Sequence, residues 1–266
     1  VPDDDAPFAT LNAERVRAAL AGTHFADVRA VRETASTNDD AAALLGDPAA
    51  AGATLVADFQ TAGRGRKPGR SWLALPGSGL LFTTILPEPV ATAALWGVPF
   101  WTALAVADGV EEACGVRLEL RWPNDLDLDA RKAGGILCIS RVLGPEAFAA
   151  CGVGLNVHRP VDTAIDVELP VAYLSDVKPG VEREAVLAGI LGAMDGLLDV
   201  LDRPHAIARA WEERAALRGR PYRLRLDSDG SIVEGTALRL DREGGLVVLC
   251  EGVERVVHLA EARVVG

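Results

Sequence analysis

The octapeptide GRGRKPGR at 63–70 places Arg64, Arg66, Lys67 and Arg70 on a backbone that also holds three glycines and a proline. No Asp or Glu occurs between Asp58 and Glu88. Guanidinium groups are planar, stay charged at physiological pH, and donate in pairs to carboxylate or phosphate oxygens. Gly63, Gly65 and Gly69 let the backbone turn and come close to a neighbour. A second cationic pair, Arg131 and Lys132, follows the turn WPND at 122–125. Such groups can bind and neutralise a small anion. The loop is not a Walker A sequence, because no Lys-Ser or Lys-Thr opens a following helix. Nor is it a dinucleotide fingerprint, since Arg-Lys-Pro and no helix follow the G-x-G. Two readings stay open: a solvated surface loop, and a loop disordered when empty that an anionic ligand orders.

The rest of the chain makes this cluster unusual. Its 266 residues include 38 acids against 27 Lys and Arg, a formal net charge of −11. That balance argues against general nucleic-acid binding, which needs a broad basic surface. One basic loop in an acidic chain suggests a local anionic target. No run of 18 apolar residues is present, so no membrane span is expected. The acidic start, VPDDDAPFATLNAERV, has no apolar core and is no signal peptide, which makes a cytoplasmic location the expectation. Cys114, Cys138, Cys151 and Cys250 show no C-x-x-C spacing, and the four histidines are scattered. Local motifs therefore offer no metal site.

Around these residues the periodicity predicts the supporting elements. LNAERVRAALAG reads as a short helix with Asn12 as N-cap and Gly22 at its end. Residues 28–33 alternate as a half-buried strand, and an Ala- and Leu-rich helix follows Ser36-Thr37-Asn38. Strands are predicted at 53–59 and 79–86, on either side of the basic loop. ALAVADGVEEACG has helical spacing. Strand-like runs follow at 117–122, 134–140 and 148–157, with WPNDL and DLDARK as the separator between the first two. Residues 158–181 read as loop, 182–201 as an amphipathic helix, and 204–217 as a shorter one. From Pro221 onward short alternating strands suggest a small all-β barrel. The chain is thus expected to be α+β, divided into residues 1–218 and 219–266.

QTAGRGRKPGRSW closely resembles the signature of the biotin–protein ligases. STN at 36–38, RWPNDL at 121–126 with RKAGGIL at 131–137, and GVGLNV at 152–157 resemble further blocks of that family, in order. The resemblance implies a mixed-sheet catalytic domain of the biotin/lipoate ligase type with an SH3-like C-terminal domain. It implies biotin and ATP as substrates with Mg²⁺, a biotinyl-5′-AMP intermediate, and transfer to a lysine of a biotin carboxyl carrier domain. By the same resemblance Ser36, Thr37, Asn38, Gln60, Gly63, Arg64, Gly65, Arg66, Lys132 and Gly135 surround biotin. Arg66, Arg70, Trp72, Arg121, Asn124, Lys132 and Asn156 serve ATP, Asp125 is a Mg²⁺ ligand, and Lys132, Arg66 and Arg64 carry the chemistry.

Each assignment has a plainer counterpart. Ser36, Thr37 and Asn38 are also ordinary capping residues. Lys132 could be a surface lysine, Trp72 core, and Asn124 and Asp125 simply turn residues. The chain departs from the family pattern at Arg121, where lysine is usual, at Gly134, at CISR, which lacks an acid often found there, and at the extra Pro68. The 35 residues before STN are too few for the winged-helix domain some members carry, so the expectation is a monofunctional ligase without DNA binding, monomeric or homodimeric. The alternatives are a lipoate or octanoate ligase or transferase, and a non-catalytic binder of biotin or biotinyl-AMP.

Overall fold

A strand buried on both faces must lie inside a sheet, and GLLFTTI is such a strand. In the computed structural model, which describes residues 10–67, 69–160, 170–259 and 261–265, this segment is β3 (Gly79–Ile85) and every residue of it is buried. It pairs antiparallel with β2 (Thr54–Gln60) on one side and β8 (Glu146–Asn156) on the other. Beyond β2 lies β1 (Val28–Thr34), parallel to it. Beyond β8 come β7 (Arg131–Leu143), β6 (Asp125–Leu128) and β5 (Glu119–Arg121), all antiparallel. A short β4 (Val90–Ala91) also pairs with β8 and completes an eight-stranded mixed sheet.

Helices cover the sheet unequally. On one face lie α1 (Ala13–Ala19), α3 (Val98–Cys114), α5 (Arg183–Gly196) and α6 (Pro204–Arg214). On the other lies α2 (Thr37–Leu44), with a smaller cluster of Ala41, Leu45, Ile85 and Ala150. The stretch Thr92–Cys114 is long and apolar enough to cross a membrane by length and composition, yet 72% of its most apolar 18 residues are buried in the fold. Asn12 caps α1 as expected, its side chain accepting from the Glu14 and Arg15 amides. A four-residue α4 (Leu174–Val177) lies within the segment expected to be loop.

The crossing of α3 and α5 depends on glycine. A Cβ on Gly109 would sit 2.4 Å from the Ile190 Cα and 2.6 Å from the Gly189 carbonyl carbon. Backbone atoms cannot step aside. Gly109→Ala is therefore expected to cost about 3 kcal/mol, lowering Tm by roughly 6–12 °C in a thermal melt.

The second sheet begins at Pro221. It contains β9 (Pro221–Leu226), β10 (Ile232–Leu240), β11 (Leu246–Cys250), β12 (Val253–Val257) and β13 (Ala262–Val264), in the order β12-β11-β10-β9-β13. All its pairings are antiparallel. It fits an SH3-like barrel whose ring of strand pairing is not closed. Trp122 joins the two sheets: its amide donates to the Tyr222 hydroxyl (3.2 Å), and its indole Nε1 donates to the Gly244 carbonyl (3.1 Å).

One expected separator is a strand, and one predicted strand is longer than expected. DLDL, expected to be part of a separator, is β6, because Leu126 and Leu128 are buried behind it. The strand expected at 134–140 runs from Arg131 to Leu143, so Lys132 sits on a strand rather than a turn.

Candidate active site

The cleft lies on the α2 face of the large sheet, and glycines make its floor. Gly135 on β7 is the register partner of Gly154 on β8, and Leu137 is the partner of Gly152. Glycine inside a strand often marks close approach by another group. A Cβ on Gly154 would lie 2.5 Å from the Trp72 ring, and one on Gly152 would lie 2.2 Å from Asn38 Oδ1. The bare floor admits Trp72 and Asn38, and around them a cleft of about 510 Å³, including its open mouth.

One wall is neutral and polar. Ser36 holds the N-cap position of α2, but its side chain makes no capping bond. Ser36, Thr37 and Asn38 are all buried and line the cleft. Gln60, at the end of β2, accepts on Oε1 from the Thr37 amide (2.7 Å) and hydroxyl (3.1 Å). Thr83 Oγ1 lies 2.7 Å from Asn38 Oδ1 and 2.8 Å from Thr37 Oγ1. Asn38 Nδ2 donates to the Leu137 carbonyl at 3.0 Å. These bonds fix the rotamers of the wall before any ligand arrives.

The opposite wall is cationic. The basic loop folds as a tight hairpin: the Gly65 amide donates to the Arg70 carbonyl (2.8 Å), and the Trp72 amide to the Gly63 carbonyl (2.9 Å). The hairpin's cations find partners on either side of it. Arg64 pairs with Asp39 of α2 at 2.7 Å, and Lys67 pairs with Asp227. Arg66 donates from Nε to Asn124 Oδ1 (3.2 Å), from Nη1 to the Leu259 carbonyl, and from Nη2 to the Ala262 carbonyl (2.8 Å). Burial lowers its pKa from the ordinary arginine value, opposed by Asp125 and Asp227. Gly63 and Gly65 serve this hairpin: a Cβ on Gly63 would lie 2.5 Å from the Trp72 carbonyl oxygen, and one on Gly65 2.9 Å from the Arg70 Cβ.

Lys132 reaches the cleft from β7, and its Nζ donates to Asp125 Oδ1. Asn124 lines the cleft and donates to the Ile136 carbonyl at 2.9 Å. Trp72 lies over Gly154 and near Gly135, and its buried Nε1 has no hydrogen-bond partner.

Of the residues singled out from the sequence, Ser36, Thr37, Asn38, Gln60, Arg64, Gly65, Arg66, Trp72, Asn124, Lys132 and Gly135 converge here. Five others lie outside the lining. Arg70 is exposed on the outer arm of the hairpin. Gly63 packs behind Trp72. Asn156 is buried and donates to the Ala172 carbonyl (3.2 Å). Arg121 lies toward the second sheet, 3.6 Å from Asp127. Asp125 is engaged by Lys132, and among the described residues no group of three or more His, Cys, Asp or Glu could hold a metal ion.

Several residues escaped the sequence reading. Phe82, Ile136, Leu137, Gly152, Val153 and Gly154 line the cleft. The alternating glycines of GVGL were the available signal for two of them. Asp127 is buried, and its carboxyl pKa is raised by that burial and by Asp125. Gly134, unusual for the family, is explained by packing, since a Cβ there would lie 2.9 Å from the Gly154 carbonyl oxygen and 3.0 Å from Leu126.

A glycine-floored mixed sheet with a neutral wall facing a cationic hairpin defines the class. The profile described as the Biotin/lipoate A/B protein ligase family matches residues 31–156, from β1 to the end of β8. The biotin--[acetyl-CoA-carboxylase] ligase of Paracoccus denitrificans is 33% identical over 240 residues, covering 86% of this chain and 96% of that protein. The bifunctional ligase/repressor BirA of Bacillus subtilis (strain 168) is 30% identical over 227 residues, covering 83% and 69%. Among solved structures, the biotin protein ligase from Aquifex aeolicus in complex with biotin and ATP superposes with a TM-score of 0.71 at 24% identity, covering 90% of this chain and 98% of that one. That likeness shows the fold. The chain belongs to the biotin–protein ligase family and is a ligase enzyme.

Proposed function

We propose that this enzyme joins biotin to ATP, forming biotinyl-5′-AMP, and then passes the biotinyl group to a lysine of a biotin carboxyl carrier domain. The observation that carries this reading is the convergence of Arg64, Arg66 and Lys132 with the uncharged Ser36–Gln60 wall over one bare glycine floor. Biotin has the matching polarity: a neutral ureido ring at one end and a carboxylate at the other. A neutral ring needs donors and acceptors without charge, and Thr37, Asn38 and Gln60 supply them.

The first step brings two anions together. A carboxylate oxygen attacks the α-phosphorus of ATP, and pyrophosphate leaves. Lys132, Arg64 and Arg66 offset the repulsion and stabilise the charge that develops at phosphorus. In this reading an incoming oxyanion competes with Asp125 for the Lys132 ammonium. The hairpin then screens the mixed anhydride from water. In the second step a neutral lysine amine attacks the acyl carbon, AMP leaves, and the nitrogen loses a proton. Mg²⁺ would enter with the triphosphate and supply further positive charge there, and Asp125, which now accepts from Lys132, is the carboxylate that would help hold it. The relatives named as biotin--[acetyl-CoA-carboxylase] ligases support the carrier domain as acceptor.

The test is transfer itself. Enzyme, biotin, Mg·ATP and a purified carboxyl carrier domain should yield one biotinyl adduct, mapped by mass spectrometry to a single lysine. A carrier domain that stays unmodified, beside an active control ligase, would refute the acceptor class.

A further inference from the structure

The ligase reading leaves the second sheet without a task. Three contacts connect it to the cleft's hairpin: Arg66 to the carbonyls of Leu259 and Ala262, and Lys67 Nζ to the Asp227 carboxylate. These anchor points belong to one piece of the sheet. Ala262 is the register partner of Leu226, and the Asp227 amide donates to the Glu261 carbonyl at 2.8 Å. From there a continuous run of hydrogen bonds crosses into the cleft. Arg66 Nε donates to Asn124, and Asn124 donates to the Ile136 carbonyl on β7.

The hairpin is thereby held from two sides. Asp39 of α2 neutralises Arg64 on the inner side, and Asp227 neutralises Lys67 on the outer side. Lys67 is 16% exposed in this pair, so water screens it only in part. We propose that the C-terminal sheet is the outer anchor of the basic hairpin and that Asp227 is a positioning residue for adenylation. Asp227 is not among the residues that line the cleft. It fixes Lys67, and so sets the neighbouring Arg66 over the cleft before ATP and biotin arrive. The inference rests on the ligase reading for its kinetic part and on the contacts alone for its structural part.

The experiment compares the wild-type chain with Asp227→Lys, Asp227→Asn, and the charge swap Lys67→Asp with Asp227→Lys. Asp202→Lys, an 83% exposed carboxylate paired only with its neighbour Arg203, controls for the change in net charge. The first readout needs no activity: trypsin cleavage of the Arg64–Gly65 and Arg70–Ser71 bonds in the ligand-free, full chain. The second is the KM for ATP in biotin-dependent pyrophosphate exchange. Asp227→Lys should speed both cleavages and raise KM by roughly three- to tenfold, with kcat changed less. Asp227→Asn should do so more weakly, and the swap should restore both quantities toward wild type. Wild-type cleavage and KM in Asp227→Lys, or a swap no better than the single variant, would overturn the anchor. Wild-type protein without exchange would overturn the ligase reading instead, and the cleavage rates would then decide the anchor alone.

Discussion

Lys132→Ala is expected to slow biotin-dependent pyrophosphate exchange by between about a hundred- and a thousandfold. The ammonium sits on β7 at the cleft, where the proposed reaction brings a carboxylate and a triphosphate together, and among the described residues no other lysine lines that cleft. Removing it leaves two anions to approach with one fewer counter-charge at the moment when charge builds at phosphorus. The same substitution leaves Asp125 without its partner. A thermal melt must therefore accompany the kinetics, to separate lost catalysis from lost fold. Asp125→Asn makes the useful contrast, because it keeps Lys132 while removing its competitor together with the carboxylate proposed for Mg²⁺. An exchange rate within tenfold of wild type in folded Lys132→Ala would remove this residue from the chemistry. Lys132→Arg should recover part of the loss, since charge returns but the compact ammonium does not.

The second large effect concerns the floor. Gly152→Ala should weaken biotin binding by about a hundredfold, measured by isothermal titration. The new methyl group would overlap Asn38 Oδ1 at 2.2 Å. Asn38 cannot move without breaking its bonds to Thr83 and to the Leu137 carbonyl, and it is buried, so water would not replace them. Either the wall shifts or β8 does. Gly192→Ala is the matched control, because nothing lies within 4 Å of a Cβ there and the position is in the middle of α5. It should leave binding intact and gain up to about 1 kcal/mol of stability from helix propensity. Equal effects at Gly152 and Gly192 would mean that the floor is not the binding surface.

Charge and glycine made the cleft legible before any coordinates. Arg64, Arg66 and Lys132 stand out in sequence because cations on a turning backbone, in an acidic chain, have few other uses. Their partners did not stand out. Arg66 is held by the carbonyls of Leu259 and Ala262, and a backbone carbonyl is the same in every residue. Asp227 and Asp39 are single acids among many, and only the fold brings them to Lys67 and Arg64. The polar wall was read two ways from sequence. Ser36-Thr37-Asn38 does open a helix, but Ser36 makes no capping bond, and the Thr37 and Asn38 side chains turn to Gln60 and Thr83, because a buried hydroxyl or amide must find partners nearby. β6 was missed because DLDL looks like a polar turn. Its leucines become a strand only when β7 supplies Gly134 and β5 the other edge. Arg121 and Asn156 share their motifs with residues that do line the cleft. One side chain lies toward the second sheet and the other is bonded to Ala172, which no spacing in the sequence encodes.

The most direct test of the central claim is exchange of labelled pyrophosphate into ATP by the wild-type enzyme with Mg²⁺, with biotin, lipoate and octanoate assayed in parallel. The account predicts exchange with biotin and none above background with lipoate or octanoate, because the Ser36–Gln60 wall is built for a polar ureido ring that neither acid carries. Exchange driven by lipoate or octanoate, or folded protein that exchanges with none of the three, would contradict it.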